Sequence, residues 1–156
     1  MDEIIFRSAT IEDLPAIVSM LADDPLGMVR ESADDLRPYR AAFAEIDADP
    51  RQELLVAEHS GTVAGTAQLS FLPGLARKGA VRAQIEAVRV ARPMRGIGLG
   101  SRLIEECVRR ARERGCILVQ LTSDSSRVDA HRFYSKLGFE ASHVGFKLML
   151  AETSDR

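Results

Sequence analysis

The sequence predicts an α/β fold in which strands and helices alternate along one domain. Two strand-like runs are joined around Ser60-Gly61, which is the pattern of an antiparallel hairpin. A third run, residues 84–90, leads through a glycine-rich turn into a strongly amphipathic helix that extends to about Arg114. The chain has 156 residues and neither an internal repeat nor a linker. Residues 1–156 are therefore predicted to form a single domain with a sizeable core.

The first third of the chain predicts a strand followed by two helices. Residues 4–7 form the strand, and Thr10 with Asp13 three positions later is a capping-box pattern that begins the first helix. Residues 23–30 predict a loop, and Pro38 is expected to kink or shorten the second helix. The inward face of the first helix consists of Leu14, Ile17, Val18 and Leu21.

The rest of the chain continues the same alternation. Residues 53–58 and 62–71 are the hairpin strands, and residues 73–79 are the loop that follows them. After the strand at 84–90, the long helix ends at Gly115, as expected of a C-cap glycine. The remaining elements are a strand at 117–122, a short helix with Ala130, Phe133 and Leu137 inward, and a final strand at 146–150.

Charge is distributed unevenly along the chain, although the formal net charge is only −2. Residues 1–60 contain 14 acidic and 5 basic side chains, whereas residues 61–156 contain 9 acidic and 16 basic ones. The basic part favours an anionic ligand. A nucleic-acid partner is not expected, because the acidic part opposes it and aromatic residues make up only 5% of the chain.

The composition also indicates where the protein resides. No apolar run approaches the roughly 20 residues that a membrane span requires, and no secretory signal opens the chain. Cys107 and Cys116 do not suggest a disulfide framework, and the three histidines show no metal-ligand spacing. We therefore expect a cytoplasmic protein with no metal and no membrane partner.

The segment Arg95-Gly96-Ile97-Gly98-Leu99-Gly100 predicts a phosphate site. Alternate glycines let the backbone turn tightly with its N–H groups uncovered, and the first N–H groups of the following helix have no internal partners. The segment lacks the lysine and hydroxyl of a P-loop. A dinucleotide site requires the third glycine one residue later, and Asp124 after the next strand keeps that alternative open but weak.

Several motifs together resemble the GCN5-related N-acetyltransferase superfamily over about residues 81–150. Within it, residues 122–134 and 142–146 are similar to aminoalkylphosphonate N-acetyltransferases. The resemblance implies a mixed, mostly antiparallel central sheet with splayed fourth and fifth strands and flanking helices. The motifs that carry it are Val88-Arg89-Val90, Arg95-x-x-Gly98-x-Gly100, Ala130-His131-Arg132-Phe133-Tyr134 and Leu137-Gly138-Phe139.

The resemblance implies that the phosphate ligand is acetyl-CoA. Its pyrophosphate would lie on the amides of the glycine turn, and its pantetheine arm would pair with the backbone of Val88 and Val90. Arg127 stands where many family members have an asparagine that contacts the cofactor, so it is expected to reach a phosphate or an anionic substrate instead. The predicted cofactor-binding residues are Val88, Arg89, Val90, Arg95, Gly96, Ile97, Gly98, Leu99, Gly100, Ser101 and Arg127.

Acetyl transfer to an amine requires a base and an acid. Glu86, two residues before Val88, is the candidate base, acting directly or through water, and an N–H near Val88 is the candidate oxyanion donor. The alternative for Glu86 is an exposed strand carboxylate, or one in a salt bridge with Arg82. Tyr134 matches the position of the family's frequent general acid, and its alternative is a core tyrosine behind Phe133.

The acceptor is predicted less sharply. Arg77, Lys78 and Arg82 lie in or beside the loop before the cofactor strand and favour a small amine that carries an anionic group. The predicted substrate-binding residues are Arg77, Arg82 and Asp124. The acidic pairs Asp23-Asp24 and Asp34-Asp35 instead favour a polycation, such as an aminoglycoside or a lysine-bearing peptide. A catalytically silent module that senses CoA remains a further alternative. The protein is expected to be a monomer or a homodimer.

Overall fold

A computed structural model describes residues 3–151 of the protein. The described residues divide into two compact units at the boundary between Gln120 and Leu121. The strands are β1 (Ile4–Ser8), β2 (Gln52–His59), β3 (Thr62–Pro73), β4 (Val81–Val90) and β5 (Leu118–Leu121). The helices are α1 (Leu14–Ala22), α2 (Gly27–Arg30), α3 (Arg37–Ala48), α4 (Ala76–Gly79), α5 (Leu99–Glu113) and α6 (Val128–Lys136). The single domain stays a prediction.

The five strands form one sheet in the order β1-β2-β3-β4-β5. The first four pair antiparallel and β5 runs parallel to β4, which confirms the predicted mixed, mostly antiparallel sheet. The amide of Ile117 donates to the carbonyl of Val81 over 3.0 Å, so β5 begins beside the first residue of β4. Because β5 has four residues and β4 has ten, the second half of β4 extends beyond β5.

Helix α5 covers one face of this sheet. A Cβ atom added to Gly65 of β3 would lie 3.5 Å from Cδ2 of Leu103. Near the other end of α5, the guanidinium of Arg114 lies 4.2 Å from the ring centroid of Phe71. The buried residues on this face of the sheet are Leu55, Ala67, Leu69, Phe71, Ala83 and Ile85, and those of α5 are Leu99, Leu103, Ile104, Cys107 and Ala111.

A second cluster lies on the opposite face, where Val56 packs with Ile17 and Met20 of α1. A 3₁₀ turn at residues 11–13 leads directly into α1, and the predicted capping box begins that turn, with the Asp13 carboxylate accepting from the Thr10 amide over 2.7 Å. Arg7 donates to both oxygens of that carboxylate, over 2.7 and 3.0 Å. Asp13 is only 8% exposed, and these bonds, Arg7 first, hold its pKa below the ordinary value of 3.8.

Two helices differ from their predicted form. A short helix, α2, occupies the end of the predicted loop at 23–30. Helix α3, predicted to follow Ser32, begins only at Arg37 and has Pro38 in its first turn, so the predicted shortening is confirmed and the helix is not kinked. The first amides of a helix have no internal acceptor, and a proline there loses nothing. No helix among residues 3–151 is both long enough and apolar enough to span a membrane.

The predicted final strand at 146–150 is wrong. These residues have no regular secondary structure, and Phe146, Leu148 and Leu150 are 94%, 86% and 93% exposed. Their alternation of apolar and polar side chains suits a strand, but a strand also requires a neighbour for its backbone groups. The alternation therefore showed that residues 146–150 could form a strand, but it did not show which strand they would pair with.

Candidate active site

The glycine turn leads directly into the N-terminus of α5. Gly96 and Gly98 adopt φ values of +80° and +86°, which residues with a Cβ rarely tolerate. Gly98 is the N-cap of α5, and the amide of Arg102 is the first to bond back to it, over 3.2 Å. The amides of residues 99–101 therefore precede the first bond within the helix. N–H groups at a helix N-terminus suit the oxygens of a pyrophosphate.

The turn is anchored on one side and open on the other. Leu99 is 2% exposed and joins the core beneath α5, whereas Ile97 is 45% exposed. A Cβ atom added to Gly96 or Gly98 would meet nothing within 4 Å. The glycines are therefore required for their backbone conformation, and they leave space in which a ligand can approach the amides.

Acidic residues after α1 neutralise the arginines around this turn. Asp23 pairs with Arg92 and lies 3.3 Å from Nη2 of Arg95. Its neighbour Asp24 lies 3.1 Å from Nε of Arg89. Arg92, followed by the weaker Coulombic effect of Arg95, holds the pKa of the Asp23 carboxyl below its ordinary value. The predicted polycation-binding role of this acidic pair is therefore less favoured, because both carboxylates already have cationic partners.

Strand β4 contains a β-bulge just after the candidate base. Ala87 adopts φ +52°, and the pairing with β3 shifts between Thr66, which faces Arg89, and Gln68, which faces Glu86. A left-handed conformation costs a residue with a Cβ about 1–2 kcal/mol. Such strain persists only where the surrounding structure imposes it, and it is frequent at functional sites. The bulge changes the direction of the backbone at the predicted oxyanion donor.

Two carbonyls near the end of β4 accept hydrogen bonds from arginine side chains. Nη1 of Arg89 donates to the carbonyl of Val88 over 2.9 Å, and Nε of Arg95 donates to that of Val90 over 3.0 Å. These are the backbone positions predicted to pair with a pantetheine arm. In this structure the arginines therefore satisfy the acceptors that such a ligand would use.

Glu86 is exposed and accepts a hydrogen bond from Nε2 of Gln84. The alternative pair with Arg82 does not form, because Nη1 of Arg82 instead donates to Gln120 over 3.3 Å. Arg77, the other predicted acceptor-binding cation, lies in an exposed left-handed turn with φ +56°. The structure thus places Arg82 beside the polar neighbours of Glu86 and Arg77 in a separate loop.

The remaining predicted residues lie in the second unit. Tyr134 is half-buried, and its ring packs edge-on against Phe133 and Phe139 with centroid distances of 5.1 and 5.8 Å. The Asp124 carboxylate accepts from the amide of Ser126 over 2.9 Å, so it stabilises the turn that leads to α6. Arg127 is the N-cap residue of α6 and is exposed.

Sequence reasoning missed three features of this site. Gln84 and Gln120 were not singled out, although Arg82, Gln84 and Glu86 alternate along β4, and strand periodicity places them on one face. The bulge at Ala87 left no signal, since alanine is an ordinary strand residue and the shift depends on pairing with β3. The sequence could therefore have predicted that Arg82, Gln84 and Glu86 share one face, whereas it could not have predicted the bulge.

Comparison with known proteins settles the family. The model of the Acetyltransferase (GNAT) family matches residues 14–139. The chain belongs to this family. Its class of activity is accordingly that of an acetyl-CoA-dependent N-acetyltransferase, which confirms the resemblance and the enzyme class predicted from the motifs.

Three similar proteins illustrate the range of this acetyltransferase family. The aminoalkylphosphonate N-acetyltransferase of Salmonella typhimurium (strain LT2) is 30% identical over 140 residues, which are 90% of this chain and 87% of the relative. The glucosamine 6-phosphate N-acetyltransferase of Trypanosoma brucei brucei is 36% identical over 91 residues, 58% of this chain and 60% of the relative. A crystal structure of a transcriptional regulator from Bacillus halodurans C-125 is 45% identical, with a TM-score of 0.90 over 95% of this chain and all of that one.

Proposed function

We propose that this acetyltransferase moves the acetyl group of acetyl-CoA to the primary amine of a small, anionic metabolite by direct attack. The observation that carries the proposal is the glycine turn at residues 96–101, which opens into the N-terminus of α5 at the end of the loop that follows the strand bearing Glu86. An anion-binding turn and an exposed carboxylate on adjoining elements supply a donor site and a base.

The residues of the glycine turn would hold the pyrophosphate of acetyl-CoA. The first amides of α5 lie at its open N-terminus, and Arg95 precedes them with its guanidinium on Asp23 and on the carbonyl of Val90. We infer that Val88 and Val90 offer backbone groups to the pantetheine arm, so Arg89 and Arg95 must release those carbonyls when the donor binds. Arg127 is retained as a candidate phosphate contact.

Glu86 and Tyr134 would carry the two proton transfers. Glu86 takes a proton from the acceptor ammonium, directly or through water, and the freed amine nitrogen attacks the thioester carbonyl carbon. The new C–N bond forms, the C–S bond breaks, and the Tyr134 hydroxyl donates a proton to the departing sulfur. The nitrogen releases its second proton to solvent as the tetrahedral intermediate collapses to the amide, and solvent returns a proton to Tyr134. The bulge at Ala87 supports an N–H near Val88 as the oxyanion donor.

The acceptor class follows from the charges beside Glu86. Arg82 lies on the same face of β4 four residues earlier, about 13 Å away between Cα atoms at the usual strand rise. An acceptor that spans a carboxylate and a guanidinium carries both an amine and an anionic group. The two N-acetyltransferase relatives are named for a phosphonate and for a phosphate sugar, which supports this class. Arg77 and Asp124 are kept as weaker candidates for acceptor contacts.

One observation favours a second function. The relative that is 45% identical to this chain is a transcriptional regulator by name. The same turn would then bind CoA as a signal, in a module that transfers no acetyl group. An aminoglycoside or peptide acceptor is less favoured, because Asp23 and Asp24 are engaged with arginines.

One experiment separates these functions. Release of free CoA from acetyl-CoA is measured with a panel of amines: an aminoalkylphosphonate, an amino-sugar phosphate, an aminoglycoside and a lysine peptide. We expect turnover with the two anionic amines, and a Tyr134→Phe variant slower by about 10–100-fold. Turnover only with the cationic amines would overturn the acceptor class. No turnover, with CoA still raising the melting temperature, would favour the regulator, and no shift in melting temperature would remove the cofactor site.

The remaining properties are inferred from the family match and the sequence. The match to residues 14–139 crosses the boundary between the two units, which supports one domain. A cytoplasmic location is favoured by two free cysteines, one of them fully buried. The assembly is proposed to be a monomer or a homodimer, which a light-scattering measurement of mass distinguishes.

A further inference from the structure

Four side chains on one face of the sheet form a continuous hydrogen-bonded chain, which we name the amide relay. Nη1 of Arg82 donates to Oε1 of Gln120 over 3.3 Å. Nε2 of Gln120 donates to Oε1 of Gln84 over 3.0 Å, and Nε2 of Gln84 donates to Oε1 of Glu86. The relay therefore begins at a cation, crosses from β4 to β5 and back, and ends at the candidate base.

The chemistry of its two ends fixes the direction of the relay. A guanidinium only donates hydrogen bonds, and an ionised carboxylate only accepts them. Gln120 must therefore present its oxygen to Arg82, which leaves its amino group for Gln84. Gln84 must in turn present its amino group to Glu86. Neither amide can rotate by half a turn without placing two donors or two acceptors in contact, so the usual ambiguity of amide orientation does not arise here.

We propose that Gln84 and Gln120 are positioning residues that hold the Glu86 carboxylate for catalysis. This inference rests on the proposed function, in which Glu86 is the base. The relay occupies Oε1 of Glu86 and leaves Oε2 to receive the proton of the acceptor amine. An exposed glutamate has several accessible rotamers, and a directed donor on one oxygen selects among them. Arg82 sets the direction of the relay from the other end.

A second polar group on the same face provides a matched control. Oε1 of Gln52 accepts from Nε2 of Gln68 over 3.1 Å and from Oγ of Ser70 over 3.0 Å. Gln52 and Gln84 thus each take part in two side-chain hydrogen bonds, and both are half-buried. The bonds of Gln52 join β2 to β3 and do not include Glu86. Substituting Gln52 therefore disturbs the same face of the sheet, including the neighbours Gln68 and Ser70, without removing a hydrogen bond of the relay.

The test compares Gln84→Leu, Gln120→Leu and Gln52→Leu in the full chain, with acetyl-CoA and the best amine of the panel. Gln84→Leu is expected to lower kcat by about tenfold, because the Glu86 carboxylate then spends a smaller fraction of time oriented toward the acceptor amine. Gln120→Leu should lower kcat by about threefold, because it acts through Gln84. For both variants KM for acetyl-CoA stays within about twofold of wild type. Gln52→Leu should keep the wild-type kcat.

An isosteric variant separates the loss of the hydrogen-bond donor from the loss of side-chain packing. In Gln84→Glu the side chain keeps its size and still accepts from Gln120, but it offers Glu86 an acceptor in place of a donor. Its kcat should fall at least as far as that of Gln84→Leu. A wild-type kcat in Gln84→Leu or Gln84→Glu would overturn the proposal, as would an equal loss in Gln52→Leu.

A measurement that needs no activity tests the relay itself. Glu86→Ala should shift the side-chain amide NMR signals of both Gln84 and Gln120, and leave that of Gln52, which is two strands away on β2, in place. An unchanged Gln120 signal would overturn the relay. If the wild type turns over no amine, the proposed function fails. If the wild type is active and Gln84→Leu matches it, only the positioning role fails.

Discussion

The two faces of β4 serve different purposes within a single strand. Ala83 and Ile85 are 0% and 2% exposed and pack in the layer beneath α5. Their immediate neighbours Gln84 and Glu86 point to the opposite face and belong to the amide relay. Successive residues of a strand face opposite sides, so residues that pack in the core alternate along this strand with residues that belong to the relay. Adjacent substitutions should therefore separate the two.

The alternation holds in the first half of β4 and is interrupted at Ala87. Before the bulge the strand lies between β3 and β5, and its polar side chains bond to one another. Beyond it, the carbonyls of Val88 and Val90 are satisfied by arginine side chains. Under the proposed function, the first half would present side chains to the acceptor, and the second half would present backbone groups to acetyl-CoA.

The largest predicted effect is on the polar face. Glu86→Gln should lower kcat by about 10²–10⁴-fold, the usual contribution of a general base. Glu86 is exposed and its substitute is isosteric, so the free energy of unfolding should match that of wild type. Initial rates and urea denaturation measure the two quantities. A wild-type kcat would assign the base to another group, and a large loss of stability would contradict the division of roles between the faces.

The adjacent residue should show the opposite behaviour. Ile85→Ala removes a fully buried side chain from the layer under α5 and should lower the free energy of unfolding by about 2–5 kcal/mol. Urea denaturation measures the loss. At a temperature where the variant is folded, kcat per folded molecule should stay within about twofold of wild type. A fall in kcat comparable to that of Glu86→Gln would show that the buried face also fixes the geometry of the polar face.

Much of this architecture was predictable from local patterns. The capping box at Thr10 and Asp13, the α5 face that contains Leu103, and the glycine turn each depend on residues close together in the chain. Periodicity and turn chemistry act over the same short range, and they predicted these features correctly. The order of strands and helices followed from the same signals.

The features that were not predicted depend on pairing between distant segments. The bulge at Ala87 arises in register with β3, and the relay requires Gln120 of β5 to lie beside Gln84. The exposed segment 146–150 has a strand pattern but no strand. In each case the local sequence permits the feature, and contacts between distant segments decide whether the strand, bulge or hydrogen bond forms.

Asp13 tests whether a carboxylate outside the polar face contributes only to folding. Asp13→Asn removes a charge-assisted pair with Arg7 and should cost about 1.5–3 kcal/mol of unfolding free energy, with kcat unchanged. The pKa of Asp13 in the folded state lies below 3.8, so its contribution is complete above that value and is lost as the pH falls through the lowered pKa. Urea denaturation at about pH 7 and pH 3 measures the difference between variant and wild type. The difference should shrink in acid, and a difference that grows there would contradict the pairing.

The last prediction concerns solvent access to the core beneath α5, which the reactivity of the two cysteines reports. Cys107 lies on the buried face of α5 with 0% exposure, and burial raises the pKa of its thiol to about 12. Cys116 lies three residues beyond the end of α5 and is only half-buried, although burial raises the pKa of its thiol as well. A thiol reagent at pH 8 should therefore react with Cys116 of the native protein at least about 100-fold faster than with Cys107, because a buried thiol must first be exposed and deprotonated. Cys116→Ser should abolish the fast reaction and leave kcat unchanged, whereas a fast Cys107 would show that the face beneath α5 opens on the timescale of labelling.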